Sequence, residues 1–183
     1  KNVNIYGKNI ENVILGGFIG LGDGDVNNVY INNLQVRLLN INKSTGIGGV
    51  IGFSSAGIRK INNVIVSGKI EADTGRIGGF CGRGYATISN TISNIDIVAN
   101  GDFVGGIVGE NIEDGKLKNN LYIGDMINKK NDSYIGAISG MGKNGTNNYI
   151  YEKNKINGTK IIDYNKQLTK EQLLKENTYK SIL

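Results

Sequence analysis

The chain has 183 residues, of which 28 are Gly, 28 Ile and 27 Asn, and it contains no Pro, Trp or His. Without imidazole it can build neither a Ser-His-Asp or Cys-His catalytic set nor an ordinary zinc site, and the single Cys81 can form no internal disulfide or thiolate cluster. The net charge of +5 belongs mostly to the tail: Lys1 to Gly142 carries 13 basic and 12 acidic residues, and Lys143 to Leu183 carries 8 and 4.

No Lys/Arg cluster interleaved with aromatics occurs, so no nucleic-acid partner is expected. No apolar run approaches the ~18 residues of a membrane helix, so no membrane insertion is expected. The length suits one domain with a real core. A chain that opens at Lys1 without Met or a signal peptide reads as a piece of something longer.

Taken from the start, Val3, Ile5, Ile10 and Val13 read as the end of a coil that precedes the first full repeat. A glycine motif then recurs: Gly16-Gly17-Phe18-Ile19-Gly20, Gly48-Gly49-Val50-Ile51-Gly52, Gly78-Gly79-Phe80-Cys81-Gly82, Gly105-Gly106-Ile107-Val108-Gly109 and a degraded Gly136-Ala137-Ile138-Ser139-Gly140. The motif is strand-like, with glycines where a bend or a close backbone approach is needed. Behind each copy comes an Asn-bearing strand: Asn27 to Ile31, Asn62 to Val66, Ser93 to Ile97, Asn119 to Ile123 and Asn147 to Tyr151. Alternation assigns Val29 and Ile31, Val64 and Val66, Ile95 and Ile97, Leu121 and Ile123, and Tyr149 and Tyr151 to the core face. A weaker third strand is expected at Gly68-Lys69-Ile70 and at Gly124 to Ile127.

Two or three short strands per unit of about 30 residues, with no amphipathic helix between them, predict an all-β fold: a right-handed parallel β-helix of about five short coils. In-phase stacking then predicts a structural ladder of Asn28, Asn63, Asn94, Asn120 and Asn148, each in a turn that tolerates the left-handed backbone, with amides bonding along the stack. The first repeat departs from the pattern, since Asn32 to Ile41 continues as an additional strand-like stretch. The repeat domain is assigned to residues 1–151 and a C-terminal cap or linker to 152–183. In that segment, Thr169 as N-cap with Gln172 three residues on, and Leu168 with Leu173 as a staple, predict a short helix over 170–176 that caps the last coil.

The Gly-Gly-aliphatic-aliphatic-Gly strands, each followed by an Asn-bearing strand and a Gly-x-Ile segment, resemble the GLUG repeats of bacterial surface proteins. The arrangement from Ile14 to Tyr179 is similar to the N-terminal repeat domain of the immunoglobulin-A-specific zinc metallopeptidases of Gram-positive bacteria. The resemblance implies an extracellular, secreted or cell-wall-attached parent whose zinc and H-E-x-x-H helix lie in another domain, because this chain has no His. The chain itself would then be a monomeric accessory element, a spacer, a docking surface or an adhesive unit, without catalysis, metal or cofactor of its own. Its partner would be a host or substrate protein or glycan. The alternatives are an adhesin repeat unrelated to a protease and a carbohydrate-active β-helix fragment.

Asp23-Gly24-Asp25 fails as a calcium loop because Asn28 and Leu34 occupy the positions that need Gly and Glu. Gly20 to Gly24 lacks the Gly-Lys-Ser/Thr ending of a phosphate loop. Glycosidase chemistry needs paired carboxylates on one face, and Asp96 is expected to stand alone between Ile65 and Tyr122. Tyr30, Ile65, Tyr122 and Ile150 are expected to form an outward row, a binding strip if exposed and a packing surface if covered; a covered row is favoured.

Overall fold

Alternating inward residues give strands one apolar edge, and short strands at a fixed period can bury that edge only by stacking coil on coil. The computed structural model, which describes residues 3–22, 24–55, 60–112, 116–158, 160–162 and 166–175, has this architecture: a parallel β-solenoid of about five turns bounded by three sheets. The first sheet runs in order through Val3–Lys8, Val26–Leu39, Lys60–Ala72, Thr87–Ala99, Leu117–Tyr122, Tyr149–Tyr151 and Lys166–Leu168, with Met126–Asn128 and Ile156–Asn157 continuing it laterally. The second holds Val13–Gly16, Ser44–Gly48, Arg76–Gly78, Phe103–Gly105, Tyr134–Gly136 and Lys160–Ile162, and the third holds Ile19–Gly22, Ile51–Ser54, Cys81–Gly84, Val108–Asn111 and Ser139–Met141.

The glycine motif is a corner rather than a continuous strand. In the third copy Gly78 ends a strand of the second sheet and Cys81 opens one of the third, and the three glycines answer three different close approaches. A Cβ on Gly78 would lie 2.0 Å from the Cys81 carbonyl oxygen, one on Gly79 2.1 Å from that of Gly106 in the next coil, and one on Gly82 2.2 Å from the Ile47 nitrogen of the preceding coil. The corner is tied to its neighbour by Gly79 N–H donating to Gly105 O at 3.1 Å, and by the Phe80 and Cys81 N–H groups both donating to Ile107 O at 2.9 and 3.0 Å. Val50, Phe80, Ile107 and Ile138, the first aliphatic position of the motif, are fully buried; Phe18, in the first coil, is 56% exposed.

The first repeat is less exceptional than its sequence suggests. Leu34 to Leu38 aligns with Gly68 to Ala72, so the stretch after Ile31 is the third strand that every coil carries, displaced by a bulge at Asn32 and Asn33. Val3–Lys8 aligns with Leu34–Leu39 as the preceding coil's last strand, as expected. The boundary at 151 does not mark the end of the stack. Ile156–Asn157 pairs with Met126–Ile127, Lys160–Ile162 with Tyr134–Gly136 and Lys166–Leu168 with Tyr149–Tyr151. These segments lack the glycine signature, but their backbones continue the ladder.

The helix spans Lys170–Leu173, and Glu176, the expected last residue, lies outside the described residues, as does Tyr179. Thr169 is its N-cap in a full capping box: Gln172 N–H donates to Thr169 Oγ1 at 3.2 Å and Thr169 N–H donates to Gln172 Oε1 at 2.8 Å. The helix covers the flank of the solenoid. Leu173 is buried against Ile92 and Leu121, outward residues of the first sheet, with Leu168 and Tyr149 beside them. Two neighbouring coils that both point aliphatic groups outward supply the apolar seat.

Candidate binding face

The register of the first sheet decides which sequence candidates meet. Val29, Val64, Thr91 and Asn120 stack in one inward column, and Ile31, Val66, Ser93 and Tyr122 in the next. The third Asn-bearing strand is therefore Ser89 to Ser93, four residues earlier than the sequence pattern placed it. Thr91 and Ser93 stand where the other coils put Val, so the hydrophobic alternation that would have marked this strand is missing. Ser93 is fully buried beneath Tyr122.

The asparagine ladder is corrected accordingly. Asn28, Asn63, Asn90, Asn119 and Asn147 have φ of 57, 53, 55, 56 and 52°, the left-handed turn that Asn tolerates. Asn63 Nδ2 donates to Asn28 Oδ1 at 2.6 Å, and Asn119 Nδ2 to Asn90 Oδ1 at 3.1 Å, while Asn90 Nδ2 reaches Asn62 Oδ1 at 2.8 Å. Of the expected members, Asn28 and Asn63 belong to this column. Asn94 is exposed and aligned with Ser67. Asn120 and Asn148 form a second, interior ladder, in which Asn120 Nδ2 donates to Asn148 Oδ1 at 2.9 Å and Thr91 Oγ1 donates to Asn120 Oδ1 at 2.7 Å. Asn119-Asn120 and Asn147-Asn148 place one residue in each column, whereas in Asn27-Asn28 and Asn62-Asn63 the second Asn takes the left-handed turn and Val29 and Val64 fill the interior column, a one-residue difference that sequence spacing alone did not give.

The expected outward row divides in the same way. Tyr30, Ile65, Ile92, Leu121 and Tyr149 are in register on the outer face, whereas Tyr122 and Ile150 point inward and are buried. Tyr122 donates from its hydroxyl to the carbonyls of Ile95 and Asp125 at 3.1 and 3.0 Å, and burial, reinforced by Asp96 and Asp125, holds its phenol well above the usual tyrosine range. The row is covered at Ile92 and Leu121 by Leu173, while Tyr30 remains 66% exposed.

Asp96 does not stand alone between apolar groups. Its cross-coil partner on one side is Lys69, and one step further along the register it faces Asp125. Two carboxylates thus share the outer face of the first sheet, in the half that follows the bend. Each is engaged with the backbone of the next coil: Asp125 N–H donates to Asp96 Oδ1 at 2.9 Å, and Lys155 N–H donates to Asp125 Oδ1 at 2.8 Å. Asp25 does the same for Lys60 N–H at 3.1 Å, and Asp73 accepts from Asn40 and Ile41. Asp23 lies outside the described residues. The recurrent role of carboxylates here is to anchor amides across coils, a charge-assisted bond stronger than a neutral one.

This half of the face is concave. A hollow of about 290 Å³ is lined by Asn4, Tyr6, Gln35, Arg37, Lys69 and Glu71, with Ile5 and Val36 between them. Lys69 also borders a second of about 200 Å³ with Asp96, Asp125 and Ile127, so the two adjoin along the solenoid axis. Arg37 pairs with Glu71 at 3.2 Å. On the other side of the solenoid Glu110 accepts from Arg76 Nε at 2.8 Å and lies 2.9 Å from Arg83 Nε, with Phe103 and Phe53 under the two guanidinium groups. That cluster joins the second and third sheets and is half-buried, a stabilising contact of about 1 kcal/mol.

Among the described residues no group of three or more His, Cys, Asp or Glu is placed to hold a metal ion. No helix among them is long and apolar enough to cross a membrane. Comparison with protein-family models, with curated proteins and with solved structures found no match to this chain.

Proposed function

We propose that this chain is a non-catalytic scaffold that spaces and docks, an accessory domain of a secreted or surface-attached bacterial protein. The repeat pattern described above makes a zinc metallopeptidase resembling the immunoglobulin-A-specific family the proposed parent, with the zinc held in a separate catalytic domain. The observation that carries the reading is the use made of four carboxylates, three exposed and one, Asp73, half-buried. Asp25, Asp73, Asp96 and Asp125 each accept backbone N–H groups of an adjacent coil. A carboxylate spent on holding the stack is poorly placed to shuttle protons, and a stack pinned in this way presents its face rigidly, which lowers the entropic cost of docking.

The carbohydrate-active reading gains one specific observation, the adjacency of Asp96 and Asp125. Both readings are tested by incubating the chain with labelled oligosaccharides and with glycoprotein substrates. Intact recovery of all of them is expected. Products formed by the wild-type chain and lost in Asp96→Asn or Asp125→Asn would overturn the scaffold reading in favour of the enzyme.

A further inference from the structure

The concave half of the first sheet offers chemistry that names a ligand class. Along one outward row the register sets Gln35, Lys69 and Asp96 side by side on successive coils, with Asn4 and Asp125 at its ends. The neighbouring row sets Tyr6 beside Arg37 and Arg37 beside Glu71. Tyr6 is 66% exposed at one end of the groove. The trough therefore offers amide groups at one end, the Lys69 and Arg37 donors in the middle and the Asp96 and Asp125 acceptors at the other end, with the Tyr6 ring beside the amides. Coil-to-coil spacing of about 4.8 Å is close to the length of one pyranose unit in an extended chain.

Other ligand classes fit less well. A peptide captured by strand addition needs the free N–H and C=O groups of a sheet edge; this trough lies on the face of the sheet, and of its strands only the end one, Val3–Lys8, is paired on a single side among the described residues. Nucleic acid would meet Glu71, Asp96 and Asp125, whose charges repel phosphate. An apolar helix would bury these charged groups at a loss. Sugar hydroxyls, in contrast, donate to the carboxylate oxygens and accept from the Lys, Arg and amide groups, while the C–H face of a pyranose stacks on Tyr6.

We propose that the groove from Tyr6 to Asp125 binds a neutral, extended, β-linked oligosaccharide running along the solenoid axis. The proposal deepens the docking reading above and rests on it. The test is a titration of the isotope-labelled chain with cellohexaose and chitohexaose, followed by amide chemical shifts, with curved maltohexaose and anionic heparin as comparisons. Binding in the range of ~0.1–1 mM is expected, with shifts concentrated on residues 4–6, 35–37, 69–71 and 96–98. Tyr6→Ala and Lys69→Met should each weaken it at least about 5-fold, and Tyr30→Ala, an exposed tyrosine outside the groove, should leave it unchanged.

No shifts with either β-linked hexamer, preference for heparin, or full affinity in Tyr6→Ala would overturn the glycan assignment and leave the scaffold reading standing. Binding accompanied by hydrolysis of the hexamer would leave the groove assignment standing and remove the non-catalytic reading.

Discussion

Replacing Gly82 by Ala, and its counterpart Gly20 by Ala, separates steric necessity from glycine's mere abundance. Both residues close the same five-residue motif, yet their surroundings differ. A methyl on Gly82 would lie 2.2 Å from the Ile47 nitrogen and 2.6 Å from the Gly46 carbonyl carbon, whereas one on Gly20, in the first coil, would approach only the Ile14 oxygen at 3.3 Å. An ordinary Cβ contact begins near 3.4 Å, so Gly82→Ala must push two backbones apart by about 1 Å, an overpacking cost of ~1–3 kcal/mol. The displaced backbones also carry inter-coil hydrogen bonds worth ~1 kcal/mol each, so a total loss of about 3–4 kcal/mol is expected. Gly20→Ala should be near neutral, because a tenths-of-an-ångström adjustment is offset by ~0.4–1 kcal/mol from the less flexible unfolded chain. Equilibrium urea unfolding followed by far-ultraviolet circular dichroism reads both through the midpoint at constant slope. Equal midpoints for the two variants would refute the claim that the third glycine is set by contact between sheets.

Asn63→Ala removes the bond to Asn28 and puts a Cβ residue without a polar side chain at φ 53°; a loss of about 1–3 kcal/mol is expected in the same assay, against less than ~0.5 kcal/mol for exposed Asn94→Ala, and the reverse order would restore the sequence-based ladder. Leu173→Ala should cost about 2 kcal/mol and raise dye binding to the uncovered Ile92 and Leu121; unchanged dye fluorescence would show that the helix does not hold that seat. Burial pushes the Cys81 thiol from 9.0 up to about 12, with the Ser54 and Arg83 backbone bonds partly opposing it. The folded chain thus keeps a proton that the unfolded chain releases, so the contribution is complete below pH 9 and declines as pH rises from there towards 12. The slope is ~1.4 kcal/mol per pH unit. Unfolding measured on both sides of pH 9 should show this decline reduced in Cys81→Ala, and identical slopes would exclude the thiol as its source.

The repeat period, the parallel stacking and the capping box were legible in the sequence because each rests on a local, recurring pattern. The Gly-Gly corner marks four successive turns, with Gly136-Ala137 as a fifth, altered copy, and Thr169 and Gln172 lie three residues apart. What was not legible was phase. In the third coil Thr91 and Ser93 replace the inward aliphatics of Val64 and Val66, so the alternation pointed to Ile95 and Ile97, which in fact belong to the third strand of that coil. This slip of four residues set Asp96 beside Ile65 and Tyr122 instead of Lys69 and Asp125, and so concealed the polar trough. Tyr122 was misread for a related reason: alternation assigned Leu121 and Ile123 to the core, but the fourth strand is one residue out of phase with that pattern, so Leu121 points outward and Tyr122 inward, where the Ile95 and Asp125 carbonyls satisfy its hydroxyl. The cross-coil bonds that fix these placements, Asp125 to Asp96, Asn90 to Asn62 and Tyr122 to Ile95, join residues 27 to 29 positions apart in the chain, and only the register supplies them.

The claim that the exposed carboxylates serve the stack is tested most directly by amide hydrogen exchange at Asp125, whose N–H donates to Asp96 Oδ1. Asp96→Ala should speed exchange at that amide and lower stability by about 1 kcal/mol, while Asp96→Asn, which keeps an acceptor oxygen, should stay close to wild type. Unchanged exchange in Asp96→Ala would mean that the carboxylate is free for another task, and the scaffold reading would fall.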